Sequence, residues 1–140
     1  MKVIYSLIIP LLFLACSKDK NPTPSPTIDG AKFKVVFAQS GAYSAYSKQL
    51  EFSPGLALTD SLKSVYTDKD LNLPSFTFQT QKDVKTLKVK FVLNSKQESE
   101  EVAEWSLQVF RNDRVIDTKN FKFASSSNIS ITNEWSYSFK

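Results

Sequence analysis

The chain has 140 residues, with 18 Lys and Arg against 14 Asp and Glu, one cysteine and no histidine. A net charge of +4, spread along the chain, is too mild for a nucleic-acid groove, and no nucleic-acid partner is expected. Without histidine there is no Ser-His or Cys-His pair, no ordinary general base near neutral pH and no common zinc or iron set. The expectation is a protein that is not an enzyme and carries no metal or cofactor.

In chain order, Met1 and Lys2 give a positive start, and Val3 to Ala15 is an apolar run of 13 residues. A membrane-spanning helix needs about 20, so this run has the length of a signal-peptide core. It ends Leu12-Phe13-Leu14-Ala15-Cys16, which resembles the lipobox of bacterial lipoproteins. In that family a small residue precedes a cysteine that is acylated and becomes the first residue after cleavage. Ala15 and Cys16 match, whereas Phe13 and Leu14 depart from the commonest form and resemble the looser boxes of the Bacteroidota. The resemblance implies residues 1–15 as leader, Cys16 as the lipidation site and a membrane as partner through that lipid. Ser17 after the cysteine resembles lipoproteins passed on to the outer membrane, on either its periplasmic or its cell-surface face.

Residues 16–27 read as the lipidated cysteine and a Pro-rich tether, with Pro22, Pro24 and Pro26 alternating. Extended polyproline geometry advances about 3.1 Å per residue, so the tether reaches roughly 35 Å. The folding unit is then 28–140. It holds 16 of the 18 aromatic residues, a composition that favours a packed core over disorder.

Alternation dominates from there. Phe33, Val35 and Phe37 share one strand face, as do Tyr46, Lys48, Leu50 and Phe52 in the next strand. Phe76 and Phe78 mark a short strand after Pro74. Leu87, Val89, Phe91 and Leu93 follow, then Trp105, Leu107 and Val109. Arg111-Asn112-Asp113-Arg114 is a tight hairpin, since Asn and Asp tolerate left-handed backbone. Phe121 and Phe123 end its second arm, and Trp135, Tyr137 and Phe139 close the chain. Residues 56–73 fit a strand or a short helix. Residues 95–104 fit a charged loop or a helical turn opened by Ser95 and Glu98. The hairpin from Trp105 to Phe123 resembles immunoglobulin-like domains in small surface lipoproteins of the Bacteroidota. The resulting expectation is an all-β, antiparallel, immunoglobulin-like β-sandwich of about seven strands.

Few residues suggest chemistry. Glu98, Glu100, Glu101 and Glu104 form an acidic cluster without the glycine turn of a calcium loop, and read as a solvated loop rather than a metal site. Lys82, Lys85, Lys88 and Lys90 suit either a guarded strand edge or an anionic glycan or lipid. Tyr43 and Tyr46, among small residues, form the segment most like a binding loop, with a plain corner of the fold as the alternative. Asp60-Ser61-Leu62 resembles the O-glycosylation signal of secreted Bacteroidota proteins, which would place the sugar on Ser61. Asn128-Ile129-Ser130 fits the eukaryotic glycan sequon and carries no expectation in a bacterium. The functional expectation is a non-catalytic binding module for a protein or glycan at the cell envelope. The alternatives are a structural subunit of an envelope secretion or uptake assembly and a small carboxylate-dependent hydrolase.

Overall fold

The computed structural model describes residues 29–58, 61–96, 101–124 and 129–139. The leader, Cys16, the tether, Asp60, Glu98, Glu100 and Asn128 lie outside the described residues.

Eight strands run in chain order: β1 (Phe33–Gly41), β2 (Tyr46–Leu58), β3 (Ser61–Thr67), β4 (Ser75–Gln79), β5 (Thr86–Ser95), β6 (Val102–Arg111), β7 (Arg114–Ala124) and β8 (Ser130–Ser138). One 3₁₀ turn, Tyr43–Ala45, joins β1 to β2. The strands form one sheet in the order β7-β6-β1-β4-β2-β5-β8, with β3 on the other side of β2, and every pairing is antiparallel. The all-β antiparallel architecture expected from the alternation is present, with eight strands where about seven were expected. β3 is the strand the alternation did not show, because six of its seven residues are exposed and only Tyr66 points inward.

The inward residues are those whose period predicted it. Phe33, Val35 and Phe37 are buried, as are Leu87, Val89, Phe91 and Leu93 on β5 and Trp105, Leu107 and Val109 on β6. Full burial of each such side chain favours folding by about 1.5–3 kcal/mol. Phe52, Tyr66 and Phe78 form a compact aromatic knot, with ring centroids 4.7–6.0 Å apart. The knot sits where β2 shifts register between Glu51 and Leu56 and crosses from β5 to β4. That crossing curls the sheet over its own core. The two ends of the strand order then meet through side chains. Phe121 and Trp135 lie 6.0 Å apart, Tyr137 Oη donates to Asp117 Oδ2 at 2.8 Å, and Arg111 Nη1 donates to Ser138 O at 2.9 Å.

The Arg111–Arg114 hairpin forms as expected, with Asn112 and Asp113 at φ 48° and 62°. Gly41 is required at the end of β1: its φ is +68°, and a Cβ there would lie 2.0 Å from Val102 O.

The topology gives the molecule two distinct ends. The chain enters at Asp29–Ala31, where Ala31 bridges to Val84, and leaves at Phe139, bonded to Lys85 O. This entry end also carries the β2–β3, β4–β5 and β6–β7 connections. The opposite, far end carries the β1–β2, β3–β4, β5–β6 and β7–β8 connections.

Candidate functional site

At the far end three connections converge on one carboxylate. Asp68, just past β3, accepts the Lys48 backbone N–H on Oδ1 at 2.7 Å, and the Lys48 ammonium lies 3.7 Å from the same oxygen. Its Oδ2 pairs with Lys96, just past β5, at 2.5 Å. Lys48 Nζ also donates to Tyr43 O at 3.3 Å and lies 5.2 Å over the Tyr43 ring. Lys96 N donates to Ala45 O at 2.8 Å, which ties the 3₁₀ turn to the same set.

Lys48 belongs to the inward phase of β2, between Tyr46 and Leu50, and only 4 % of its side chain is exposed. Burial pushes its pKa down, against the opposing pull of Asp68. Burial alone would raise Asp68, but the bonds from Lys96 and the Lys48 amide outweigh it and hold the carboxyl below the usual range. One carboxylate thus serves two ammonium groups, leaving one positive charge in excess in a partly enclosed place.

Beside this set lies a polar layer inside the core. Gln39, inward on β1, donates its Nε2 to Leu71 O at 2.9 Å and Leu73 O at 2.6 Å, clamping the β3–β4 connection. Its Cα partner on β6 is Trp105, whose ring meets Tyr46 edge-on at 5.0 Å. Gln39 Oε1, Tyr46 Oη and Trp105 Nε1 are buried with no protein partner among the described residues. Such groups are rare in native interiors, and here all three fall in one neighbourhood.

The sequence-derived candidates land as follows. Tyr46 is wholly buried, which removes it as a surface contact residue and makes it part of the core. The reason is its phase: it shares the inward face of β2 with Leu50 and Phe52. Tyr43 is half-buried and contributes its carbonyl and ring to Lys48. Ser61 is exposed at the start of β3, as a modified serine would need to be. Glu104 pairs with Lys122 at 2.7 Å, and Glu101 is exposed. Lys82, Lys85 and Lys88 are exposed at the entry end, far from the Asp68 set. Sequence reasoning missed Lys48 and Asp68 as a pair. The available sign was a lysine standing in the inward phase of an otherwise apolar strand face.

The chain matches, over residues 2–136, a family described as "PLAT/LH2 and C2-like Ca2+-binding lipoprotein". It belongs to that family. No curated protein sequence matches it. Among solved structures it is similar to a DUF4425 family protein from Bacteroides ovatus, with TM-score 0.62 and 15 % identity over 76 % of this chain and 95 % of that one. It is similar to a DUF4425 domain of unknown function from Bacteroides vulgatus, with TM-score 0.65 and 12 % identity over 80 % and 98 %. It is also similar to a protein from Parabacteroides distasonis solved in its calcium-bound form, with TM-score 0.63 and 18 % identity over 79 % and 96 %. At these identities the likeness is one of fold.

The described residues do not fit calcium. The ion takes 6–8 oxygen ligands at about 2.3–2.6 Å. No group of three or more Asp, Glu, His or Cys side chains stands together among the described residues. Asp68 is engaged by two lysines. Asp70, whose carboxyl is held low by Lys63 at 2.7 Å, also accepts the Thr67 N–H at 3.0 Å.

Proposed function

We propose that the chain is a non-catalytic binding module, held by lipid on Cys16 to the outer membrane of a Bacteroidota cell and engaging a protein or glycan there. The observation that carries this reading is the match to a lipoprotein family over a span that includes Cys16. The far-end geometry supports it as well. The Lys48–Asp68–Lys96 set fastens three connections to one another and neutralises the carboxylate, which suits a fixed contact surface better than proton transfer. Ser61, exposed at the head of β3, is the modification site in the same reading.

Two measurements test it. Cys16→Ser should move the protein from the membrane to the soluble fraction, and protein that stays with the membrane refutes the anchor. A glycan array and a pull-down from envelope extract should yield at least one saturable partner; two empty results refute the binding role.

The family description and the calcium-bound Parabacteroides protein favour a second reading, in which calcium takes part. Because a ligand bound only to the folded state raises its melting temperature, a calcium titration followed by thermal unfolding decides it. A curve that does not move removes calcium from the function.

A further inference from the structure

Charge is not shared evenly between the two ends of the sheet. At the entry end the folded chain gathers Lys32 and Lys34 from the head of β1, Lys82, Lys85 and Lys88 from the β4–β5 connection and β5, and Arg111 and Arg114 from the β6–β7 hairpin. Among the described residues, Asp29, Asp83 and Asp113 oppose them, so seven described cations face three described anions, an excess of four. Lys85 is paired to Asp29 at 2.8 Å and Lys34 to Asp113 at 3.1 Å. Lys32, Lys82, Lys88 and Arg114 are exposed, and no described carboxylate pairs with them. At the far end the described charges nearly cancel: Lys48, Lys63, Lys69, Lys96 and Lys122 stand against Asp68, Asp70, Glu101 and Glu104.

The chain enters through the basic end. Asp29 to Ala31 lie there, so the tether that leads back to Cys16 departs from the face with the excess positive charge. On the lipid-tethered reading, the Pro-rich spacer expected from the sequence does not by itself dictate the attitude of the module, so surface charge is what distinguishes one attitude from another. Basic residues close to an anionic lipid surface are attracted by about fivefold in partitioning each, over a range of about one Debye length, near 8 Å at physiological salt.

We propose that the entry end is a docking face for an anionic lipid surface, laid down by the lipid tether and held by Lys32, Lys82, Lys88 and Arg114, so that the far end points away from the membrane. This rests on the lipid-tethered reading above and adds the orientation. It gives Lys82 and Lys88 a use that an edge position alone does not, because Lys32 and Arg114 join them only in the folded chain.

The test uses acylated protein reconstituted in vesicles, with a fluorescent donor on Gln81→Cys at the entry end or on Ser44→Cys at the far end, and an acceptor on the lipid headgroup. On phosphatidylcholine containing phosphatidylglycerol, transfer from position 81 should exceed transfer from position 44. The difference should shrink on pure phosphatidylcholine, and also in about 1 M salt, where the Debye length is about 3 Å. It should likewise shrink in the Lys32→Glu, Lys82→Glu, Lys88→Glu, Arg114→Glu variant, with near-ultraviolet dichroism showing that this variant is folded. Equal transfer from both positions, or a difference indifferent to lipid charge and salt, overturns the orientation. Protein recovered without an acyl chain overturns the tether reading, and this proposal with it.

Discussion

Tyr66 and Tyr46 are both buried tyrosines, and their hydroxyls differ in one respect that a single-atom substitution measures. Tyr66 Oη donates to Leu56 O at 2.6 Å, accepts from Leu58 N at 3.1 Å, and lies 3.2 Å from Ser61 O. These groups belong to the stretch of β2 that passes from its pairing with β5 to its pairing with β4, and to the strand that follows it. Tyr46 Oη has no protein partner among the described residues. Two net hydrogen bonds, each contributing about 0.5–1.5 kcal/mol, make Tyr66→Phe destabilising by about 1–3 kcal/mol. A domain of this size shifts by about 4 °C or more per kcal/mol, so the melting temperature should fall by roughly 4–12 °C. Tyr46→Phe removes a buried hydroxyl that contributes no protein hydrogen bond, and should leave stability within about 0.5 kcal/mol or raise it. Thermal and urea unfolding of the two variants beside the parent measure the contrast. If Tyr46→Phe proves the costlier change, the hydroxyl has a partner that the described residues do not provide, and the reading of the polar layer around Gln39 and Trp105 is wrong.

Four further outcomes follow from the same geometry. Gly41→Ala forces a side chain into left-handed backbone and against Val102 O, and should cost at least about 2 kcal/mol in urea unfolding, whereas Gly→Ala at a relaxed site would stabilise. Asp68→Ala leaves the buried Lys48 ammonium without its counter-ion and should destabilise by about 3 kcal/mol, while Lys48→Met, which removes the buried charge itself, should change stability by less than about 1.5 kcal/mol; equal losses would show that the pair, and not the stranded charge, is what matters. Asp68, Asp70 and Asp117 all titrate below the ordinary 3.8 in the folded state, so the unfolded chain binds more protons in acid. Their stabilisation is complete above the usual carboxylate range and is lost as the pH falls through it toward their lower folded values. Asp68→Asn should flatten that acid limb of the unfolding profile, and an unchanged slope would refute the assignment. Lys48 acts in the opposite region: its lowered pKa means that stability rises with pH in the interval just below 10.5, and Lys48→Met should abolish that rise.

Most of the core was legible because strand burial is a local, period-two property. Phe33-Val35-Phe37, Leu87 to Leu93 and Trp105 to Val109 need only their own spacing to declare an inward face. The Asn112-Asp113 hairpin was legible for a similar reason, since two residues that accept positive φ stand between alternating arms. β3 was not, because an edge strand with one inward residue has no alternation to display. Tyr46 was legible as core through its phase with Leu50 and Phe52, and that same phase decides against the binding-loop reading its neighbours suggested. Of the polar residues, Lys48 carried the one usable sign. Asp68 stood out only as a small carboxylate pair with Asp70, and nothing in the sequence joined it or Lys96 to Lys48, which they follow by 20 and 48 positions.

The sequence by itself determined the strand faces, the tight hairpin, the leader-like start with its cysteine, and the lack of a histidine around which common catalytic sets form. Only the tertiary structure decided which strands neighbour one another, because pairing order is a property of hydrogen bonds and packing between segments far apart in the chain. From that order came the two results that bear on function. Asp68 became the meeting point of two lysines, because the ends of β3 and β5 and the start of β2 lie together. Lys32, Lys82, Lys88 and Arg114 became one basic face, because the head of β1, the β4–β5 connection and the β6–β7 hairpin share an end of the sheet with Asp29 to Ala31.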